Sequence, residues 1–191
     1  MPTVTPAYLR LVAHRYVTDK DLLTRSVAMN HYLPLFDIKT NNRIAMFTAQ
    51  IAHETGGFRW SHELGSPSYF AKYEPGTRIG KNLGNNTIGD GARYKGRGDL
   101  QLTGRFNYTM FHNWLLTKGY SPVVNVVKDP ETLLDMPFRL LSALFYWEKH
   151  KLNRHCDTVD IKGLTKAING GYNGLTDRTR LTNRLLGHPL V

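Results

Sequence analysis

A single cysteine, Cys156, stands among 191 residues. One thiol excludes an internal disulfide and disfavours a cysteine-based zinc site, and its expected use is as a small core side chain. Long apolar runs are missing as well: no stretch approaches the roughly 18 consecutive apolar residues that a membrane-spanning helix needs. The opening MPTVTPAYLRLVAHRY lacks an apolar segment followed by a small-residue cleavage site, so no secretory signal is expected, and synthesis in a cytoplasm is. There is no low-complexity linker, no repeat at a period of roughly 20 to 50 residues and no run of about five like charges, which excludes a solenoid and a basic nucleic-acid tail.

Acidic residues are scarce: 15 Asp and Glu face 25 Lys and Arg, for a net charge of +10. A pI near 9.8 favours an anionic partner, whether nucleic acid, a membrane surface or an acidic wall polymer. The cations are dispersed in short groups, RYKGR (93–97) and DRTRLTNR (177–184), so charge alone leaves the partner open. A hydrophobic fraction of 41% and a charged fraction of 21% are ordinary for a globular protein. The length suits one domain, 1–191, with a real core and no separate wall-binding module.

Apolar spacings of three and four predict two helices over about 6–35, with Asp21 near a cap and the second ending near Pro34. NNRIAMFTAQIAHE, 41–54, predicts a helix capped by Asn41 or Asn42, with Ile44, Phe47 and Ile51 as its stripe. At about 100° per residue Glu54 falls within about 20° of Phe47, on the rim of that stripe, while His53 points away. Thr55-Gly56-Gly57 then ends the helix. The stretch 64–98 holds eight of the seventeen glycines and reads as a long functional loop. Helices follow over about 104–118, in two pieces after Asp129-Pro130-Glu131, and over about 160–168 and 174–186. The class is mainly α.

A carboxyl on the rim of an apolar stripe is costly to ionise and suits a general acid. Glu63, nine residues on among Ser61, His62 and glycines, is expected in a wetter setting where it stays ionised. Two carboxyls in unlike surroundings are what a glycosidase needs, one to protonate the leaving oxygen and one to activate water. A solvated or Arg-paired glutamate is the plainer alternative. A zinc peptidase or amidase using His53, Glu54, His62 and Glu63 is another, although HETGG lacks the second histidine of the helical zinc motif. Downstream, YKGRGDLQLTGRFNY (94–108) places Gly96 and Gly98 beside Arg97 and Asp99, which can lock one another. Its Gln101, Thr103 and Asn107, with Tyr94, Phe106 and Tyr108, suit sugar hydroxyls and ring faces. A structural hairpin there, and a plain helix–loop–helix corner at AINGGYNGLTDR (167–178), account for the same residues equally simply.

Taken in order, AHETGGF, YKGRGDLQLTGRFNY and INGGYNGLTDR resemble glycoside hydrolase family 19 over about residues 20–186. The compact bacteriophage endolysins of that family are the nearer likeness, including the FAKYEPGTRIGKNLGNNTIGDG loop. The resemblance implies a lysozyme-like, two-lobed α domain with a central substrate cleft, single-displacement hydrolysis with inversion, and no metal or organic cofactor. It implies Glu54 as general acid, Glu63 as general base with Glu74 in reserve, and Thr103 as a holder of the attacking water. Gln101, Asn107 and Asn169 fall on sugar-binding positions, Tyr94 and Arg97 on the same cleft motif, and Arg178 on the basic residue that organises the acid site. Asp99 departs from the family, where an apolar residue or proline is commoner.

The expected function is therefore a lysin cleaving β-1,4 bonds between amino sugars of bacterial peptidoglycan. A chitinase and a zinc-dependent amidase or peptidase are the enzymatic alternatives, and a non-catalytic wall- or nucleic-acid-binding protein the remaining one. The expected partners are glycan strands and an anionic membrane surface, not nucleic acid, for a monomer. The resemblance further implies a protein made in the host cytoplasm and acting in the periplasm after holin-type release.

Overall fold

A computed structural model describes residues 2–120 and 124–190. The chain divides into two compact units, one made of everything up to Trp60 together with everything from Tyr146 on, the other of Ser61–Phe145. Among the described residues the architecture is helical, as the periodicity predicts, and β pairing is limited to two isolated bridges.

The first unit opens with α1 (Pro6–Arg10) and α2 (Asp19–Tyr32). Asp21 takes the third position of a capping box whose cap is Thr18. Pro34 does stop α2, but inside a 3₁₀ turn, Leu33–Phe36, rather than at a clean end. The next helix, α3 (Asn41–Glu54), has the predicted span, and its cap is Thr40, whose hydroxyl accepts from the Arg43 N–H at 3.2 Å. Asn41 and Asn42 already lie within the helix. Every residue from Ile44 to Ala52 is buried, polar Thr48 and Gln50 included. The helix is thus surrounded on all sides instead of presenting one stripe. It ends where Gly56 and Gly57 adopt positive φ (58° and 73°).

The second unit corrects the expectation of a long loop. Residues 64–98 fold into single helical turns: α4 (Pro67–Phe70), a 3₁₀ turn at Ala71–Tyr73, α5 (Arg78–Asn82) and α6 (Asp90–Arg93). Buried polar side chains pin them. Asp90 accepts the Asn86 and Thr87 N–H groups and both arms of Arg105, at 2.5–3.0 Å, while Asn85 joins Tyr73 O to the Arg105 N–H at 2.8 Å. One turn is too short to show a period, which is why these read as loop.

After them Arg97 bridges to His62 on one side and Leu102 on the other. The helix α7 (Arg105–Lys118) then stops at left-handed Gly119. A 3₁₀ turn, Pro130–Leu134, leads to α8 (Phe138–Lys149), which supplies Leu140, Leu141, Leu144 and Phe145 to the second core and Trp147 to the first.

The first unit is completed by α9 (Asn153–Asp157), α10 (Ile161–Asn169) and α11 (Leu175–Leu186). Trp147 meets Phe47 edge-on at 4.9 Å, and α11 lies along α3 with Leu181 and Leu185 buried. Cys156 is buried in this core, and burial pushes its thiol up to about 12. Among the described residues no helix is long and apolar enough to cross a membrane.

Candidate active site

In the first unit, Glu54 is the last residue of α3 and faces Arg178 of α11. The Arg178 side chain is 1% exposed; one guanidinium nitrogen donates to Glu54 Oε1 and the other to Gln50 Oε1. Gln50 and Glu54 stand one turn apart on α3, so one planar guanidinium spans both. The rim of an apolar stripe was the expected surrounding of Glu54; a buried cation is what meets its carboxyl, whose side chain is 23% exposed. Gln50 Nε2 and Arg178 Nε are buried without a partner among the described residues.

Tyr146 stands close as well. Burial, and then the charge of Glu54, raise its phenol above the ordinary value, and its hydroxyl donates to Ala167 O at 3.0 Å. Asn169 ends α10 at the surface. His53 points elsewhere, as predicted, with Nδ1 2.8 Å from Asp177 Oδ2. Burial works to raise the Asp177 carboxyl, but hydrogen bonds from His53 and Arg180 outweigh it and hold the group below its usual range.

In the second unit, Glu63 is tied down from several directions. Its N–H donates to Gly96 O at 2.8 Å and its Oε2 accepts from the Gly96 N–H at 3.3 Å. Oε1 accepts from the Tyr69 and Tyr73 hydroxyls, both at 2.9 Å, with Lys72 Nζ 3.6 Å away. The wetter setting predicted for Glu63 is thus corrected: its side chain is 18% exposed, because the helical turns of 67–73 carry two tyrosines onto it. Burial, and then the bond to Glu63, raise the Tyr73 phenol, which keeps it a donor. Glu74, the reserve, is committed to the loop, accepting from the Gly89 and Gly91 N–H groups at 2.7 and 3.1 Å.

Gly96 marks where the other predicted residues converge. A Cβ built there would lie 2.5 Å from Gln101 Oε1, 3.2 Å from Thr103 Oγ1 and 3.4 Å from Glu63 Cβ. Thr103 donates to Gln101 O and Asn107 Nδ2 to Thr103 O, each at 2.8 Å. Tyr94 and Arg97 lie in the interior instead of on a sugar-facing surface. The Tyr94 hydroxyl donates to Val127 O at 3.0 Å, and Arg97 holds Arg93 O, the Tyr108 hydroxyl and Glu131. Arg97 and Asp99 do not lock one another, since Asp99 receives Arg139 at 2.6 Å. The motif residues therefore build the floor on which Glu63, Gln101 and Thr103 stand.

Gln50, Tyr69, Tyr73 and Tyr146 are the neighbours that sequence reasoning missed. Gln50 and Glu54 share an i, i+4 spacing, the one signal that could have found any of them. Among the described residues no three His, Cys, Asp or Glu side chains group so as to hold a metal ion.

No family model matches the chain. A Haemophilus influenzae protein described as glycosyl hydrolase family 19 domain-containing is 31% identical over 166 residues, covering 74% of this chain and 78% of that protein. An Arabidopsis thaliana endochitinase is 28% identical over 129 residues, 67% of this chain and 39% of its own length. Among solved structures, chitinase C from Streptomyces griseus superimposes with a TM-score of 0.66 at 21% identity, covering 98% of this chain and 78% of that one. A bacterial family 19 chitinase does so at 0.63 and 18% identity, with 96% and 95% covered. The last two establish the likeness of the fold.

Proposed function

The chain belongs to glycosyl hydrolase family 19, and from that premise we propose that it hydrolyses the β-1,4 bonds between amino sugars of bacterial peptidoglycan as a lysin. In this reading Glu54 gives its proton to the bridging oxygen as the bond to the anomeric carbon breaks. Glu63 takes a proton from the water that forms the new bond, and that carbon is inverted. Thr103 holds the water by a hydrogen bond, Gln101 beside it binds the sugar, and Asn107, a sugar-binding position, also steadies Thr103 by donating to its carbonyl. Arg178, fixed by Gln50, sets the rotamer of the acid.

The observation that carries the reading is the contrast in how the two carboxyls are held. A guanidinium meets Glu54, while two phenols and a backbone amide meet Glu63. What the contrast supplies is fixed geometry: each carboxyl is held in one orientation, and the division into acid and base follows the AHETGG motif that carries Glu54. Synthesis in a host cytoplasm and release to the wall through a holin-type pore belong to the same proposal; the +10 balance bears on attraction to the acidic wall alone.

Glu54→Gln keeps size and both hydrogen-bonding edges but cannot supply the proton. It should lower the release of reducing ends from purified peptidoglycan by about 10²–10⁴-fold in a protein that still folds by circular dichroism, with a lowered melting temperature because Arg178 loses its counter-charge. A folded variant that still lyses walls overturns the reading. Mass spectrometry of the products should show no anhydro ends.

Chitin hydrolysis is the second reading, favoured by the names of the Arabidopsis and Streptomyces proteins. Rates on chitin oligomers against purified peptidoglycan separate the two.

A further inference from the structure

The first unit carries a surface that the chemistry above does not use. The segment 14–16 and the turn 56–60 are stitched together: the His14 N–H donates to Gly57 O at 2.9 Å, and a Cβ on Gly57 would collide with the His14 backbone. Two aromatic rings are left outward by this join, Tyr16 at 62% exposure and Trp60 at 38%. Trp60 is seated across Gly56, where a Cβ would lie 3.0 Å from its ring. Between the rings stands Arg59, its guanidinium carbon 4.2 Å from the Trp60 centroid and 5.6 Å from that of Tyr16, while Arg15 lies 4.8 Å from Tyr16.

The segments 11–18 and 55–60 contain no aspartate or glutamate, and the acids that flank them are paired elsewhere, Asp19 with Arg10 at 2.6 Å and Glu54 with Arg178. Beside them, His14, Gly56 and Gly57 continue into a cavity of about 380 Å³ that adds Arg180 and Arg184. The acid in that cavity is Asp177, already bound to His53 and Arg180.

We infer that Arg15, Tyr16, Arg59 and Trp60 form a binding surface for a carboxylate-bearing glycan, with the rings stacking on sugar faces and the arginines pairing with its acids. The inference rests on the proposed function and deepens it, because peptide-substituted peptidoglycan carries carboxylates and chitin does not. Exposed rings alone would suit any polysaccharide. Guanidinium groups held over those rings, in a stretch without acids, select an anionic one. Stacking also orders the two arginines before a ligand arrives, which reduces the entropy lost on binding.

The test uses the full chain as Glu54→Gln, so that binding is read without turnover. Co-sedimentation with insoluble peptidoglycan gives the affinity, and peptidoglycan whose carboxyls have been converted to neutral amides is the second ligand. Replacing Arg15 and Arg59 by glutamine should weaken binding to native peptidoglycan by roughly tenfold. Amidation should weaken the unsubstituted surface by a similar factor, and the two changes together should add little. Trp60→Ala should weaken both ligands, since stacking survives amidation.

Equal losses on amidation for the arginine and glutamine forms would overturn the inference, because diffuse charge would then account for binding. So would unchanged binding by a glutamine form with unaltered melting. The enzymatic reading fails separately: a wild-type protein that releases no reducing ends sinks it, whatever the sedimentation shows.

Discussion

Arg178 does two things with one group. It neutralises part of a carboxylate and, through Gln50, it fixes where that carboxylate points. Lysine carries the same charge without the fork, so Arg178→Lys should lose one of the two contacts. Steady-state kinetics should show kcat lowered by about tenfold or more with KM little changed, and denaturant melts should show a loss of roughly 1.5–3 kcal/mol, the worth of one charged hydrogen bond. Gln50→Leu should move kcat in the same direction while leaving Glu54 its cation.

These partners explain what could be read beforehand. Glu54 is legible from helix phase, because an acid near a buried stripe is unusual by itself. Gln50 is not, since an amide inside a helical pattern reads as surface until a partner 128 residues away gives it a reason to be buried. Tyr69 and Tyr73 are hidden for the same reason. The motif around Tyr94 and Arg97 is visible, yet its spacing does not say that these two face inward.

Among the elements, long helices are the legible ones: α3, α7 and α11 lie where the periodicity puts them, within a residue or so of the ranges read from sequence. The single turns of 67–93 escape that reading, because buried side chains such as Asp90 define them and no repeat does. Asp90 gives a test of this. Burial works to raise its carboxyl, but the bond from Arg105 and those from two backbone N–H groups outweigh it, so its folded value lies below the ordinary one. A depressed carboxylate stabilises the fold above the unfolded value, about 3.9, and that contribution fades as pH falls through the folded value. Asp90→Asn should cost roughly 2–3 kcal/mol at pH 7, and the cost should shrink in melts as pH falls below the unfolded value of about 3.9.

Gly96 offers the complementary experiment. Its φ is not in the left-handed region, so alanine strains no backbone, but a methyl there would push Gln101 and crowd Thr103. Gly96→Ala should fold and lose most of its turnover, as a circular-dichroism melt beside a reducing-end assay would show.

For the molecule as a whole, charge and sulfur set the behaviour in solution. On the proposed reading, a +10 protein should bind an acidic wall less well as salt rises, with the fall concentrated between about 0.05 and 0.5 M, where the screening length contracts from roughly 14 to 4 Å. Sedimentation with peptidoglycan across that range checks it. Cys156 should resist a thiol reagent at pH 8 until denaturant exposes it, since burial holds the proton on sulfur.

The chain order has a further consequence. Glu54 and Arg178 are 124 residues apart in sequence, and the first unit takes its helices from both sides of the segment that forms the second. During synthesis the acid therefore leaves the ribosome long before the arginine that orients it. A nascent chain halted at about residue 150 already holds Glu54, Glu63, Thr103 and every residue of the stacked surface, but α11 is still unmade. Glu54 stays without its orienting partner until α11 has been made, so on the proposed reading a copy ended before α11 is an inert one.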